Sequence, residues 1–254
     1  MATKTATTKK PTNAKTATNS DPFAANRIEI PAVNMDIFRC RITGETPLVI
    51  NNLGHKAKQE MLDSMQPSKK KTTKVRADKD PVAEYFDKMY VLDGDPREDQ
   101  ENTFEGIFTP LHFKDATAIH GVRASGFRMA MVRAAKSCGA KMTDTRCNMR
   151  VKSAFGSLIP INFDYLVSGE DSVALMGSKK DLRYRPYYHG WSVDLELEHM
   201  SDIIGPEQII QLLQIAGRVV GVGEWRNEKN GEMGAFDVDL NSIEVEKIQL
   251  HHKL

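Results

Sequence analysis

With 254 residues, 40% of them hydrophobic and 27% charged, the chain has the composition of an ordinary globule able to bury a full core. No apolar run approaches the ~18 residues of a membrane helix, and the N-terminus lacks the apolar core of a secretory signal. Cys40, Cys138 and Cys147 form no CxxC pair, which argues against a disulfide framework or zinc site and suits a cytoplasmic location. Net charge is +1, but residues 1–20 hold Lys4, Lys9, Lys10 and Lys15 and no acid, leaving −3 for the rest and excluding a uniformly basic nucleic-acid binder.

Residues 1–26 are rich in Thr, Ala, Lys and Asn and offer almost nothing to bury. They are predicted to be a disordered basic tail, either solubilising or docking on phosphates or a neighbouring subunit. A single domain is predicted over 27–254. From Asp36 to Ile42 the residues alternate, with Phe38, Cys40 and Ile42 on one side and Arg39 and Arg41 on the other, the pattern of a half-buried strand with a basic outer face. Thr46-Pro47 breaks it before Leu48-Val49-Ile50.

Leu53, Ala57, Met61 and Met65 recur every four residues and predict a helix to Gln66, ended by Pro67. Lys69, Lys70, Lys71, Lys74 and Arg76 follow within ten residues without an acid. This is either a solvated basic loop or a finger that contacts phosphates, since such like charges repel one another without a partner. Asp80-Pro81 opens a short helix to Tyr90. The acidic loop after it (Asp93, Asp95, Glu98, Asp99, Glu101, Glu105) lacks the ligand order of an EF-hand.

Asp115 to Ser137 reads as one mostly buried helix closed by Gly139. Its Arg123, Arg128 and Arg133 lie about 140° apart and do not share a face. Short strands are predicted at 147–152, 158–163 and 173–176. The clearest strand is Trp191–His199, with Trp191, Val193, Leu195 and Leu197 inward. Gly205-Pro206 opens a helix to Gly217 with Ile209, Leu212, Leu213 and Ala216 as its core stripe. Strands at 219–225, 235–240 and 243–249 finish the chain.

The order strand, helix, strand, strand, helix, strand is βαββαβ, so the fold class is α+β with a ferredoxin-like or RRM-like core. Large insertions follow the first strand, over about 45–113, and separate the middle two.

Gly221-Val222-Gly223-Glu224-Trp225-Arg226, then Gly231 and Gly234-Ala235-Phe236, follows a helix. A dinucleotide or phosphate loop needs the reverse order, so both readings fail on topology. What remains is a glycine hairpin on a sheet, where missing side chains let a backbone or ligand approach closely. The seven histidines show no metal-binding pattern, and no nucleophile elbow is present. Glu224 could act as acid or base; an ion pair with Arg226 or Arg218 is the plainer expectation. Between Asp181 and Trp191, Arg183, Tyr184, Arg185 and Tyr187 combine charge with faces on which bases can stack, a pattern suited to single strands. The plainer alternative is rings in a core and arginines in ion pairs.

The glycines at 221, 223, 231 and 234 with Phe236 resemble the glycine-rich signature of the RAMP superfamily, RRM-like proteins that include backbone subunits of CRISPR surveillance complexes. Gly44-Glu45-Thr46-Pro47-Leu48 before a large insertion resembles those subunits too, whose insertion forms a thumb. TPLVINNLGHKAKQEM, RYRPYYHGW and AGRVVGVGEWRNEKNGEMGAFDV together resemble uncharacterised proteins of tailed phages and prophages. The resemblance implies subunits lined up along single-stranded nucleic acid, with thumb, basic strand face and glycine loop touching its backbone. The expectation is therefore a non-catalytic phage protein that binds single-stranded RNA or DNA as a homo-oligomer or filament, without cofactor, metal or membrane. Its contacts are expected from Arg39, Arg41, Lys69, Lys70, Lys71, Lys74, Arg76, Arg183, Tyr184, Arg185, Tyr187, Gly221, Gly223 and Arg226. A phage assembly or virion protein using the same surfaces, and a metal-independent endoribonuclease using His189 or His199, are the alternatives.

Overall fold

A strand with one apolar face needs a helical layer to cover it, and the first strand finds one far along the chain. The computed structural model describes residues 33–65, 79–153, 156–174 and 180–248, all within one compact unit that begins at Val33. The chain runs through β1 (Met35–Gly44), β2 (Leu48–Val49), α1 (His55–Met65), α2 (Pro81–Asp87), β3 (Tyr90–Asp93), β4 (Asn102–Phe104), β5 (Ile107–Phe108) and β6 (Leu111–His112). Next come β7 (Ile119–Arg123), α3 (Ala124–Ser137), α4 (Met142–Asn148), β8 (Met149–Val151), β9 (Leu158–Pro160), β10 (Tyr165–Ala174) and β11 (Lys180–His189). It closes with β12 (Ser192–Met200), α5 (Pro206–Ile215) and β13 (Phe236–Ile248).

The central sheet has the order β13-β1-β12-β8, with antiparallel neighbours. Numbering only its four strands along the chain gives 4-1-3-2, with α3 and α5 as the two helices, which is the ferredoxin-like βαββαβ core. Phe38, Cys40 and Ile42 of β1 and Val193, Leu195 and Leu197 of β12 are all buried, and they share one core with Phe127 and Met131 of α3 and Ile209 and Leu213 of α5. Burial pushes the Cys40 thiol up to about 12, so it sits there as a small apolar group.

The first insertion supplies β2 to β6 with α1 and α2; the second supplies the long β10–β11 hairpin. That hairpin joins β2 and β6 in a second sheet, and β3-β7-β9 make a third.

Four expectations are corrected. Residues 115–137 are not one helix: a 3-10 turn at Phe113–Asp115 leads into β7, and only then does α3 start. A short apolar run does not reveal its period, and β7 is held by β3 on one side and β9 on the other. The segment 147–152 divides into the end of α4 and β8. α5 continues through a π-turn, Ala216–Val220, which Gly221 ends at φ 72°, so 219–225 is not a strand and the fourth core strand is β13. Finally, Arg39 donates to Glu196 and Glu246, Arg41 grips both oxygens of Asp194, and Lys152 and Arg150 pair with Glu196 and Glu198. The outer face of the sheet is therefore a lattice of paired charges and not a basic surface.

His120 of β7 is buried at 1% exposure, bonded through Nδ1 to the Tyr188 hydroxyl, with Nε2 unpartnered. Burial holds its imidazole down to about 4, against a weaker upward pull from Asp99. The unfolded chain takes up this proton near pH 6.5 and the folded one does not. The stability is thus full above pH 6.5 and is lost as pH falls towards 4, by about 3 kcal/mol in all. Denaturant melts from pH 7 to 4.5 should show this decline, and His120→Leu should flatten it whatever its own stability.

Candidate nucleic-acid interface

The glycine segment is built against the chain's own backbone. Val222 N–H donates to Gly234 O (2.9 Å), Gly234 N–H to Pro47 O (2.8 Å) and Glu224 N–H to Val49 O (2.9 Å). A Cβ on Gly234 would fall 1.8 Å from Val222 O, and one on Gly223 would fall 2.5 Å from Val49 O, both at positive φ. The close approach expected of these glycines is real, and the backbone that approaches is that of residues 46–50 and 222–234. Because Thr46 O accepts from Trp191 Nε1 (2.8 Å), the loop is also tied to the core sheet.

Between this loop and the start of α3 lies a cleft of about 280 Å³. Its walls include Ile50, Asn51, Tyr90, Val122, Arg123, Ser125, Gly126, Met129, Arg133, Val222, Glu224 and Arg226. The helix begins at Ala124, whose N–H is taken by Ser157 O, whereas those of Ser125 and Gly126 belong to the first turn, where a helix supplies no acceptors of its own. Arg123 is exposed, lies over the Tyr90 ring at 5.2 Å and has no carboxylate partner among the described residues. Arg133 and Arg226 share Glu228, at 2.7 and 3.0 Å. Arg226 also donates to Gly223 O (2.9 Å), which braces the loop. Glu224 pairs with neither expected arginine: Arg226 is on Glu228, and Arg218 is on Asp237 at 3.4 Å.

The sequence-predicted contacts therefore separate. Gly221, Gly223 and Arg226 come together at the cleft, while Arg39 and Arg41 lie in the paired charges of the sheet. Lys69, Lys70, Lys71, Lys74 and Arg76 lie outside the described residues. On β11, Arg183 stays half-buried beside Asp181 (3.6 Å). Tyr184 and Arg185 are buried at 7% and 3% exposure, so burial withdraws both from contact with a strand. The Tyr187 ring covers Gly169. His199 is fully buried with Nδ1 on Ile204 O, and His189 stacks on Tyr165 at 4.5 Å. Among the described residues no group of acids, histidines and cysteines could hold a metal ion, and Asp99 of the acidic loop caps the N–H groups of Thr117 and Ala118.

Sequence reading missed the mouth of the cleft, Arg123, Ser125 and Gly126, because it placed them within one long buried helix. A glycine inside a helical pattern was the available signal. The predicted stripe also differs: its Leu53, Met61 and Met65 are 40–75% exposed, as is the neighbouring Leu62.

Arg185 and Tyr187 meet at Asp171, which accepts from Arg185 Nη1 (3.2 Å), the Tyr187 hydroxyl and Trp225 Nε1 (3.3 Å). Trp225 holds φ 52°, unusual for a non-glycine residue, and its ring lies 5.9 Å from the Arg185 guanidinium. Asp171→Ala leaves a buried, unpaired guanidinium, and chemical denaturation should show a loss of about 3–5 kcal/mol. Asp171→Asn, which keeps an acceptor, should lose less.

No protein-family model matches the chain, and no curated protein does. Among solved structures it is similar to a chain in the cryo-EM structure of the type III-B Cmr-beta complex bound to cognate target RNA, with a TM-score of 0.44 and 10% identity. The match covers 84% of this chain and 61% of that one, so this chain spans less than two thirds of its length.

Proposed function

We propose that the chain binds single-stranded nucleic acid without catalysing a reaction on it, holds the backbone across the mouth of the cleft, and assembles as an oligomer along the strand. Gly126 carries this reading. Glycine in a helix costs about 1 kcal/mol relative to alanine. A Cβ at Gly126 would meet nothing within 4 Å, so no part of the protein requires the side chain to be missing. The open space lies in the cleft, beside an arginine without a carboxylate partner among the described residues and the positive end of a helix, where an anion is favoured. A phosphate there can also compete with Glu228 for Arg133 and Arg226. Lys69, Lys70, Lys71, Lys74 and Arg76, outside the described residues, remain proposed phosphate contacts of this reading.

The test is fluorescence anisotropy with labelled single-stranded RNA, single-stranded DNA and duplex DNA across a range of salt. Single strands should bind, with log affinity falling against log salt by about 0.7 for each phosphate neutralised. Arg123→Ala should reduce that slope by about 0.7. Gly126→Leu should weaken binding about tenfold or more while leaving the melting temperature unchanged or raised. No single-strand binding by homogeneous protein at low salt would overturn the reading.

The exposed stripe of α1 favours a second reading, an assembly protein whose surfaces meet other subunits. Sedimentation showing self-association without nucleic acid, abolished by Met61→Lys with Met65→Lys, is its expected signature.

A further inference from the structure

A groove that only follows phosphates needs cations open to water. The inner part of this cleft is different, because Ile50, Val122, Met129 and Val222 give it apolar walls. Apolar walls with a few placed polar groups are the build of a site for a small, flat, uncharged unit. At about 280 Å³ the space is near the lower end of the ~300–1,000 Å³ typical of such sites and has room for one base.

Two acceptors on residues that line this space have no donor in the protein among the described residues. Asn51 Oδ1 is buried with no hydrogen-bond partner. The Glu224 carboxylate has no hydrogen bond and no cation within ion-pair distance among the described residues, although its main-chain N–H is fixed on Val49 O. A phosphate satisfies neither, since it brings only acceptors of its own and repels the carboxylate. What the pair lacks is a ligand edge with several adjacent N–H groups.

We infer that the cleft is a nucleobase pocket that selects guanine, with Glu224 and Asn51 accepting from its Watson–Crick edge and Arg123 holding the adjoining phosphate. Guanine offers an N1–H and two N2 protons, which matches three acceptors: the two carboxylate oxygens and Asn51 Oδ1. Adenine and cytosine place a bare ring nitrogen beside their amino group, where it would oppose the second carboxylate oxygen. Uracil and thymine flank a single N–H with two carbonyls. The inference rests on the single-strand reading above and adds a base preference to it.

The test compares three labelled single strands at low salt: an adenine oligonucleotide, the same strand with guanine at alternate positions, and that strand with inosine in place of guanine. Inosine keeps N1–H and lacks only the N2 amino group. The guanine strand should bind about tenfold tighter than the inosine strand, and Glu224→Gln should bring it down to the inosine level. The Glu224 side chain makes no contact that folding needs, so the variant should melt as the parent does. Equal affinity for all three strands, or a guanine preference that survives Glu224→Gln, would overturn the assignment and leave the single-strand reading in place. Absence of binding to any strand would overturn both.

Discussion

The mutual clasp of two distant segments, 44–50 and 221–236, is the constraint on which the rest of the molecule depends. Pro47 O and Val49 O accept from the glycine segment, and Ala235 N–H donates to Thr46 Oγ1 at 2.9 Å. At Gly223 and Gly234 a Cβ would strike the opposing carbonyl, so this approach requires the missing side chains. Gly217 shows how little room there is, since a Cβ there would lie 1.8 Å from Phe236 O. The clasp leads the chain out of α5 and delivers Phe236, fully buried, to the edge of β1. Without it the fourth core strand would not be placed.

The cleft follows from the same contact. One wall is the glycine segment, another is Ile50-Asn51 just beyond β2, and the start of α3 closes the third side. Asp171 then connects this wall to the β10–β11 hairpin through Trp225. A half-buried aspartate shared by a buried arginine, a tyrosine and a tryptophan is stabilising while its partners are present, because the Arg185 guanidinium would otherwise be desolvated without compensation. The hairpin thereby acts as a buttress for the loop, which accounts for Arg185 being buried and the Tyr187 hydroxyl donating to Asp171.

The βαββαβ order was legible in the sequence because it rests on strong periodicities: the alternation of 36–42 and of 191–199, and the i, i+3, i+4, i+7 stripe of α5. The fourth core strand was misplaced because 219–225 is apolar and glycine-rich, and nothing local distinguishes a π-turn followed by an irregular loop from a strand. The site was legible in part. Glycines mark close approach whatever approaches, so Gly221 and Gly223 stood out while the identity of the approaching backbone did not. For Tyr184 and Arg185 the sequence left core and strand contact open, because composition cannot tell a buried ring or ion pair from an exposed one. The pairing of Arg39 and Arg41 depended on the register of β12 and β13, which only the folded sheet supplies.

That register also decides where a nucleic-acid strand could run. An RRM-type sheet binds bases through aromatic rings on its open face. Here the outward positions of β1 and β12 hold Arg39, Arg41, Asp194, Glu196 and Glu198, without a ring, and each arginine meets an acid. A phosphate approaching this face would have to displace a carboxylate already in place and would be repelled by the acids left over. At the mouth of the cleft Arg123 has no such competitor among the described residues, and the helix end beside it adds to its field. Under the proposed function, the electrostatics that close the sheet to a polyanion make the cleft, and not the ferredoxin-like surface, the favourable path.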